Sequence, residues 1–218
     1  MIPRLPPHLR GMRIGLFGGS FDPPHEGHLL VSRVALRRLK LDRLWWLVSP
    51  GNPLKGAATR TPFAARLSAS KALARDPRIE VTGVEAEIGA HYTVQTLRYL
   101  RQRSGGARFV WIMGADNLVN FHRWKNWREI ARLVPIAVID RPGATLKALS
   151  SPAAQALASR RVREEEAGGL VRRKPPAIVY LHGPRDASSS TAMRAADEAP
   201  AADEPAKKRG FVDWLLNR

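Results

Sequence analysis

Short apolar stretches alternate with longer amphipathic segments along most of this 218-residue chain. Each stretch is nearly continuous in apolar side chains, as in Arg108-Phe109-Val110-Trp111-Ile112-Met113, which is typical of strands buried on both faces of a sheet. The pattern predicts strands at 13–17, 43–48, 78–82, 108–113, 134–139 and 177–181. It predicts helices at 27–39, 62–75, 93–103, 125–132 and 190–196, with a further one inside 150–166. This alternation indicates right-handed βαβ units in a doubly wound, parallel α/β sheet.

Polar, glycine-rich segments follow most of the predicted strands. Gly18-Gly19-Ser20 follows the first strand, and similar segments stand at 49–55, 114–117, 140–143 and 182–184. Parallel strands end at the same edge of a sheet, which is where doubly wound folds bind ligands. The sequence therefore predicts that these segments converge on one crevice.

The segment after the first strand reads Gly18-Gly19-Ser20-Phe21-Asp22-Pro23-Pro24-His25-Glu26-Gly27-His28. A glycine-rich turn that enters a helix binds anions, because free backbone N–H groups and the positive end of the helix dipole converge there. His25 and His28 lie about one turn apart on one helix face, where both can point at one phosphate group. The segment is neither a Walker A loop nor a GxGxxG turn.

The histidine pair taken alone has other interpretations. It also fits a glycine-punctuated turn with two solvated or capping histidines. As a metal site it is incomplete, because no third ligand stands nearby. The preceding glycines and the strand–turn–helix context favour phosphate chemistry.

A second candidate phosphate element stands near the other end of the chain, where Ser188-Ser189-Ser190-Thr191 precede Ala192-Met193-Arg194. A helix N-cap explains one of these hydroxyls but not four. Several hydroxyls at a helix start, with an arginine one turn in, suit a polyphosphate.

These motifs resemble the nucleotidyltransferases of the His-x-Gly-His superfamily, most closely the bacterial nicotinate-nucleotide adenylyltransferases. The family's opening, Gly-Gly-Ser-Phe-Asp-Pro-Pro-His-x-Gly-His-Leu, stands at 18–29, and its Ser-Ser-Thr-x-x-Arg element stands at 189–194. Between them, 111–117 and 121–124 are similar to the family's central block. The resemblance covers about 12–196 and implies a Rossmann-like nucleotidyltransferase fold.

The activity that the resemblance implies is transfer of AMP from ATP to nicotinate mononucleotide, giving deamido-NAD and pyrophosphate in NAD (pyridine nucleotide) biosynthesis. His25 and His28 are the catalytic residues it implies. The residues it assigns to ATP are Gly18, Gly19, Ser20, Phe21, His25, His28, Gly114, Asp116, Ser189, Ser190, Thr191 and Arg194. Asp116 would position either a ribose hydroxyl or the metal ion, and both roles stay open.

The residues that we assign to the second substrate are Asn52, Lys55, Tyr92, Thr93, Trp124 and Arg141. The segment at 91–97, which contains Tyr92 and Thr93, resembles the family's pyridine-recognition loop, and Trp124 resembles the tryptophan that stacks on the nicotinate ring. Alternatively, Tyr92 is a core residue, and Trp124 packs with Trp127 in an amphipathic helix. Lys55 and Arg141, on carboxyl-edge loops, are the candidates for the mononucleotide phosphate, with Asn52 beside them.

The implied reaction needs no nucleophilic side chain, because the attacking group is already a phosphate anion. Catalysis then consists of positioning and of stabilising charge on the transferring and leaving phosphates. Mg2+ enters as the counter-ion of ATP, and the sequence shows no dedicated protein cage for it.

The net charge of +17 is large for this length and attracts polyanions such as ATP or nucleic acid. Most of it is better explained as a solubilising surface, since no nucleic-acid module is visible and the basic groups at 160–163 and 172–174 flank Glu164-Glu165-Glu166. The chain has no cysteine, and the apolar runs are too short to span a bilayer. We therefore expect a cytoplasmic protein without membrane or nucleic-acid partners.

Three regions divide the chain: a flexible amino-terminal tail at 1–11, the nucleotidyltransferase domain at 12–196 and a partly flexible tail at 197–218. The family usually continues after Arg194 with a helix, a Val-Pro turn and a closing helix. This chain has an Ala-, Pro-, Asp- and Glu-rich linker instead, then Phe211, Trp214 and Leu215. Oligomeric contacts, including a homo-oligomer, stay open for this reason.

Other functions remain as alternatives. The nearest is an adenylyl- or cytidylyltransferase acting on nicotinamide mononucleotide, phosphopantetheine or a phosphorylated alcohol. A class I synthetase-like enzyme lacks support, since there is no Lys-Met-Ser-Lys-Ser loop. A basic nucleic-acid-binding protein would explain the charge but would leave the phosphate motifs unexplained.

Overall fold

The computed structural model describes residues 3–51, 61–140 and 145–182. The predicted helix at 190–196 and the predicted tail at 197–218 lie outside these residues. In chain order the elements are β1 (Arg13–Gly19), α1 (Glu26–Arg38), β2 (Arg43–Val48), α2 (Phe63–Leu73), β3 (Ile79–Thr82), α3 (Val84–Glu87), α4 (Thr93–Arg103), β4 (Arg108–Gly114), α5 (Ala115–Phe121), α6 (Trp127–Leu133), β5 (Ile136–Ile139), α7 (Thr145–Leu149), α8 (Pro152–Ala156), β6 (Arg161–Val162) and β7 (Ile178–Leu181). Two 3-10 helices, Ala158–Arg160 and Glu164–Arg172, flank β6.

The strands form a seven-stranded sheet in the order β3-β2-β1-β4-β5-β7-β6, and every pair is parallel. The predicted doubly wound, parallel α/β fold class is confirmed. β1 pairs with β2 on one side and with β4 on the other. The chain therefore reverses its direction of travel across the sheet at β1 and β4, and the carboxyl ends of these strands frame the crevice in which such sheets bind ligands.

Each face of the sheet carries its own apolar cluster. Neighbouring strand residues point to opposite faces, so Trp45 and Trp111 join the cluster that includes α4, α5 and α6. Trp46 and Ile112 join the cluster on the side of α1. Burial on both faces explains why the strands are nearly continuous apolar runs.

Six of the seven strands coincide with predicted ones. β5 begins two residues later than predicted, at Ile136, because Pro135 has no N–H to give to the sheet. The prediction missed β6, whose two residues are an exposed arginine and a half-buried valine. It also missed the short helices α3, α5 and α7.

The predicted solvated, salt-bridged face around Glu164-Glu165-Glu166 is confirmed in the described residues. Glu166 pairs with Arg163 and Arg173, and Glu164 pairs with Arg38. These pairs are partly or largely exposed, so each contributes little to stability. The segment itself is a 3-10 helix, Glu164–Arg172.

The segment before β1 makes contacts with the domain. Leu5 packs against the core cluster, the His8 ring lies 5.4 Å from the Trp45 ring, and the Gly11 N–H donates to the Gly106 carbonyl. Flexibility of 1–11 stays a prediction. None of the helices in the described part of the chain is long and apolar enough to cross a membrane.

Gly18 is required by close packing. A Cβ atom at this position would stand 2.5 Å from Cη2 of Trp111. Trp111 belongs to β4, the strand that pairs with β1. We expect Gly18→Ala to lower the free energy of unfolding by about 1–3 kcal/mol, because the buried indole has to shift. The measurement is urea unfolding.

The matched control is Gly169→Ala, since a Cβ atom there meets no heavy atom within 4 Å. Equal stability of the two variants would show that the sheet accommodates a methyl group at Gly18.

Candidate active site

The predicted phosphate turn lies at the carboxyl edge, at the point where the sheet reverses. Gly18 and Gly19 are the last residues of β1, and Ser20 and Phe21 begin the turn into α1. Gly114 ends β4, the neighbouring strand, and Asp116 stands in the first turn of α5. The structure thus brings these predicted residues to one edge of the sheet.

The two histidines cap the start of α1 through the same ring atom. His25 is the N-cap, and its Nδ1 accepts a hydrogen bond from the Gly27 N–H at 3.1 Å. The His28 Nδ1 accepts from the His25 N–H at 3.1 Å. A neutral imidazole that accepts at Nδ1 carries its proton on Nε2. Both rings are therefore fixed as Nε2–H donors.

Capping and phosphate binding are thus compatible in these residues, although the sequence offered them as alternatives. Nδ1 of each ring caps the helix, and Nε2 of each ring carries the proton. The ring centroids of His25 and His28 lie 3.9 Å apart, and both side chains are buried. Two adjacent donors at a helix N-terminus suit a single anionic group.

Aromatic rings support His28 from behind. The Phe21 ring lies 4.7 Å from the His28 ring and stacks on Trp46 at 4.8 Å and 17°. Phe21 is buried and has a φ of 48°, a left-handed conformation that costs a non-glycine residue about 1–3 kcal/mol. Because its ring faces the protein, Phe21 offers a ligand its backbone rather than its side chain.

A chain of two hydrogen bonds links Trp46 to the backbone of α1. Trp46 Nε1 donates to the Ser32 hydroxyl at 2.8 Å, and that hydroxyl donates to the His28 carbonyl at 2.7 Å. Ser32 is fully buried. The first two turns of α1 are therefore attached to β2 as well as to β1.

Arg66, on α2, is a buried cation beneath the site, with 1% of its surface exposed. Its guanidinium donates to the carbonyls of Ser20, Ser49, Pro50 and Thr61. It thereby ties the turn after β1 to the turn after β2. Burial lowers the pKa of Arg66, and the charge of Asp22 opposes that change.

Sequence reasoning missed Arg66. It shares a helix face with Phe63 and Ser70, three and four residues away, and an arginine on the apolar face of a helix is the available signal. Its partners are up to 46 residues distant in the chain, so local pattern does not reveal them.

The predicted pyridine-recognition residues lie at the start of α4. Tyr92 is the N-cap and is 41% exposed, and Thr93 is the first helical residue. The Gln95 side chain closes the turn, because its Oε1 accepts from the N–H groups of His91 and Tyr92 at 3.0 Å each. The alternative that Tyr92 is a core residue is wrong.

Trp124 is half-buried and meets two other rings edge-on. Its centroid lies 6.2 Å from Trp111 at 82° and 5.4 Å from Phe121 at 75°. Trp127 is a buried core residue of α6. The packing interpretation therefore holds for Trp127, whereas Trp124 combines packing with a partly exposed surface.

Glu85 is a second buried charged residue that sequence reasoning missed. It lies on α3 and accepts a hydrogen bond from the Thr96 hydroxyl of α4 at 3.0 Å. Burial raises the pKa of Glu85 to about 7, and the bond from Thr96 partly opposes that rise.

A shallow pocket of about 300 Å³, partly open to solvent, lies at the carboxyl ends of β5 and β7. Its lining includes Ala115 at the start of α5, Asp140 after β5 and Tyr180 on β7. Arg161 stacks over the Tyr180 ring at 4.8 Å. The sequence indicated the edge of the sheet but not Arg161 or Tyr180.

Seven predicted site residues lie outside the described residues: Asn52, Lys55, Arg141, Ser189, Ser190, Thr191 and Arg194. Within residues 3–51, 61–140 and 145–182, no three His, Asp or Glu side chains come together in a group that could hold a metal ion.

Comparison with known proteins agrees with this geometry. Residues 16–196 match the sequence pattern of the cytidylyltransferase-like family. The chain is 56% identical over 185 residues to a protein of Rhizobium meliloti (strain 1021) named "Probable nicotinate-nucleotide adenylyltransferase", which covers 85% of this chain and 98% of that protein. A protein of the same name from Methylorubrum extorquens (strain PA1) is 60% identical over 183 residues, covering 84% of this chain and 99% of the relative.

The fold is similar to that of the solved Plasmodium falciparum nicotinic acid mononucleotide adenylyltransferase complexed with NaAD. The TM-score is 0.60 at 16% sequence identity, over 84% of this chain and 83% of that one. At this identity the likeness shows the fold.

We expect Arg66→Met to lower the free energy of unfolding by about 2–4 kcal/mol, because it leaves four carbonyl groups of three turns without their shared donor. Arg66→Lys should recover part of this loss, since an ammonium reaches fewer of the four. Urea unfolding measures both. The control is Lys71→Met, which removes an exposed cation on the same helix. A loss of stability in Arg66→Met no larger than in Lys71→Met would contradict a stabilising role for the hydrogen bonds of Arg66.

Proposed function

The chain belongs to the cytidylyltransferase-like family of nucleotidyltransferases, and we propose that it transfers AMP from ATP to nicotinate mononucleotide in NAD biosynthesis. The observation that carries this proposal is the pair of Nε2–H donors of His25 and His28 at the start of α1. They stand where the sheet reverses, as a phosphate-binding site requires. The name of the relatives supplies the second substrate.

The reaction is an in-line displacement at the α-phosphorus of ATP. A phosphate oxygen of nicotinate mononucleotide forms the new P–O bond, and the bond between the α-phosphorus and the bridging oxygen breaks with its electron pair going to pyrophosphate. His25 and His28 donate hydrogen bonds to the phosphate oxygens on which negative charge develops. The dipole of α1 acts in the same direction.

The triphosphate and the adenosine of ATP bind to different parts of the carboxyl edge of the sheet. The N–H groups of the turn at Gly18, Gly19, Ser20 and Phe21 approach the phosphates. The adenosine lies toward Gly114 and Asp116, at the carboxyl end of β4. Support for Ser189, Ser190, Thr191 and Arg194 as further phosphate ligands comes from their sequence motif.

The start of α4 binds the pyridine ring and its carboxylate. The positive end of the α4 dipole and the Thr93 hydroxyl suit a carboxylate, and Tyr92 is exposed beside them. Trp124 supplies a flat aromatic surface. Asn52, Lys55 and Arg141 stay proposed ligands of the mononucleotide phosphate.

Mg2+ enters with ATP as part of the substrate. A protein that offers no cage of three acidic or histidine ligands among its described residues suits an ion held mainly by phosphates and water.

The direct test is pyrophosphate release from ATP and Mg2+, with nicotinate mononucleotide beside nicotinamide mononucleotide. We expect kcat/KM to be higher with the acid, because the positive end of α4 favours a carboxylate over a neutral amide. Release with the amide alone would keep the transfer chemistry and overturn the role of Tyr92, Thr93 and Trp124. Release with neither would contradict the proposal.

Loss of one donor at the transferring phosphate typically costs about 100–1000-fold in rate, and we expect this loss of kcat in His28→Ala. Circular dichroism checks that the variant keeps its fold. His8→Ala, which removes a histidine remote from α1, is the control. A kcat for His28→Ala within about threefold of the control would remove His28 from the mechanism.

A further inference from the structure

Glu85 is a buried acid that the transfer reaction does not use. It is 8% exposed, and its hydrogen-bond partner Thr96 is fully buried. Glu85 lies on α3, and Thr96 lies in the first turn of α4, one turn beyond Thr93. The bond from the Thr96 hydroxyl to Glu85 Oε1 is 3.0 Å long.

Glu85 holds both ends of the segment that leads into α4. At one end the Ala90 N–H donates to the Glu85 carbonyl at 2.8 Å, and at the other Thr96 binds the carboxyl group. Between them, Gln95 accepts from the N–H groups of His91 and Tyr92. Glu85 is therefore hydrogen-bonded on both sides of the segment that contains Tyr92 and Thr93.

We propose that Glu85 is a positioning residue for the nicotinate-binding turn, and that its neutral form is the one that favours the substrate's carboxylate. This inference rests on the proposed function. A neutral carboxyl group keeps the start of α4 electropositive. An ionised one places a negative charge about one helical turn from Thr93, where it repels the substrate carboxylate and opposes the helix dipole.

The structure supports such a change near neutral pH. Burial is the main cause that raises the pKa of Glu85 to about 7, and the Thr96 hydroxyl acts against it. Val84, the neighbour of Glu85 on α3, belongs to the same buried apolar cluster as Trp45 and Leu47 of β2. The titratable groups nearest in the chain are the half-buried Glu80 and the exposed Glu87 and His91, and none of these charges is among the causes of the shift.

The test compares the wild type with Glu85→Gln, which keeps the acceptor for Thr96 and cannot ionise. KM is measured for nicotinate mononucleotide, nicotinamide mononucleotide and ATP between about pH 6 and pH 8.5. We expect the wild-type KM for the acid to rise about 3–10-fold across this range and the rise to vanish in Glu85→Gln. The amide carries the same phosphate, so its KM corrects for titration of that group.

Glu87→Gln, an exposed position on the same helix, is the matched control and should behave as the wild type. Thr96→Val should raise the KM for the acid at every pH, and Thr96→Ser should restore it. An equal pH dependence of KM in the wild type and Glu85→Gln would overturn the inference. Absence of turnover with nicotinate mononucleotide in the wild type would instead overturn the proposed function.

Thermal unfolding gives a readout that does not need the reaction. A carboxyl group whose pKa rises from 4.5 to about 7 on folding favours the folded state below pH 4.5, and this contribution is lost as the pH rises toward 7. The Tm of the wild type should therefore fall relative to that of Glu85→Gln between about pH 4.5 and pH 7 and stay parallel to it above. A difference in Tm between the wild type and Glu85→Gln that does not change with pH would show that Glu85 is not held neutral by folding.

Discussion

The two hydrogen bonds from backbone N–H groups to imidazole nitrogens at the start of α1 determine which ring nitrogen of each histidine carries the proton. Since His25 and His28 both accept at Nδ1, both present Nε2–H groups. The same bonds satisfy N–H groups that a helix N-terminus leaves without partners. In the proposed function, capping of α1 and phosphate binding use different nitrogens of the same rings.

This arrangement holds only because the surrounding residues fix the turn. Phe21 and Trp46 pack behind His28, Ser32 joins α1 to β2, and Arg66 joins the turns after β1 and β2. A catalytic group that acts by positioning loses its effect when it moves by about 1 Å. If the proposed function holds, these buried groups contribute to catalysis by fixing the turn, although they do not touch the reacting atoms.

Much of the fold follows from the sequence, because strands buried on both faces leave a continuous apolar pattern. Where the pattern is short or polar, it fails: β6 has two residues, and α5 begins directly after Gly114 in a segment that resembles a loop. The histidine motif is local and was predictable. Arg66 and Glu85 were not, because the burial of a charged side chain depends on partners from other segments of the chain.

The most direct test of the phosphate site is the tautomeric state of His25 and His28, measured by NMR on protein labelled with 15N in histidine. Long-range 1H–15N spectra distinguish a protonated ring nitrogen from an unprotonated one. We expect an unprotonated Nδ1 and a protonated Nε2 in both rings, with the Nε2 signals shifting on addition of Mg-ATP. A proton on Nδ1 of either ring, or Nε2 signals that do not respond to Mg-ATP, would contradict this expectation.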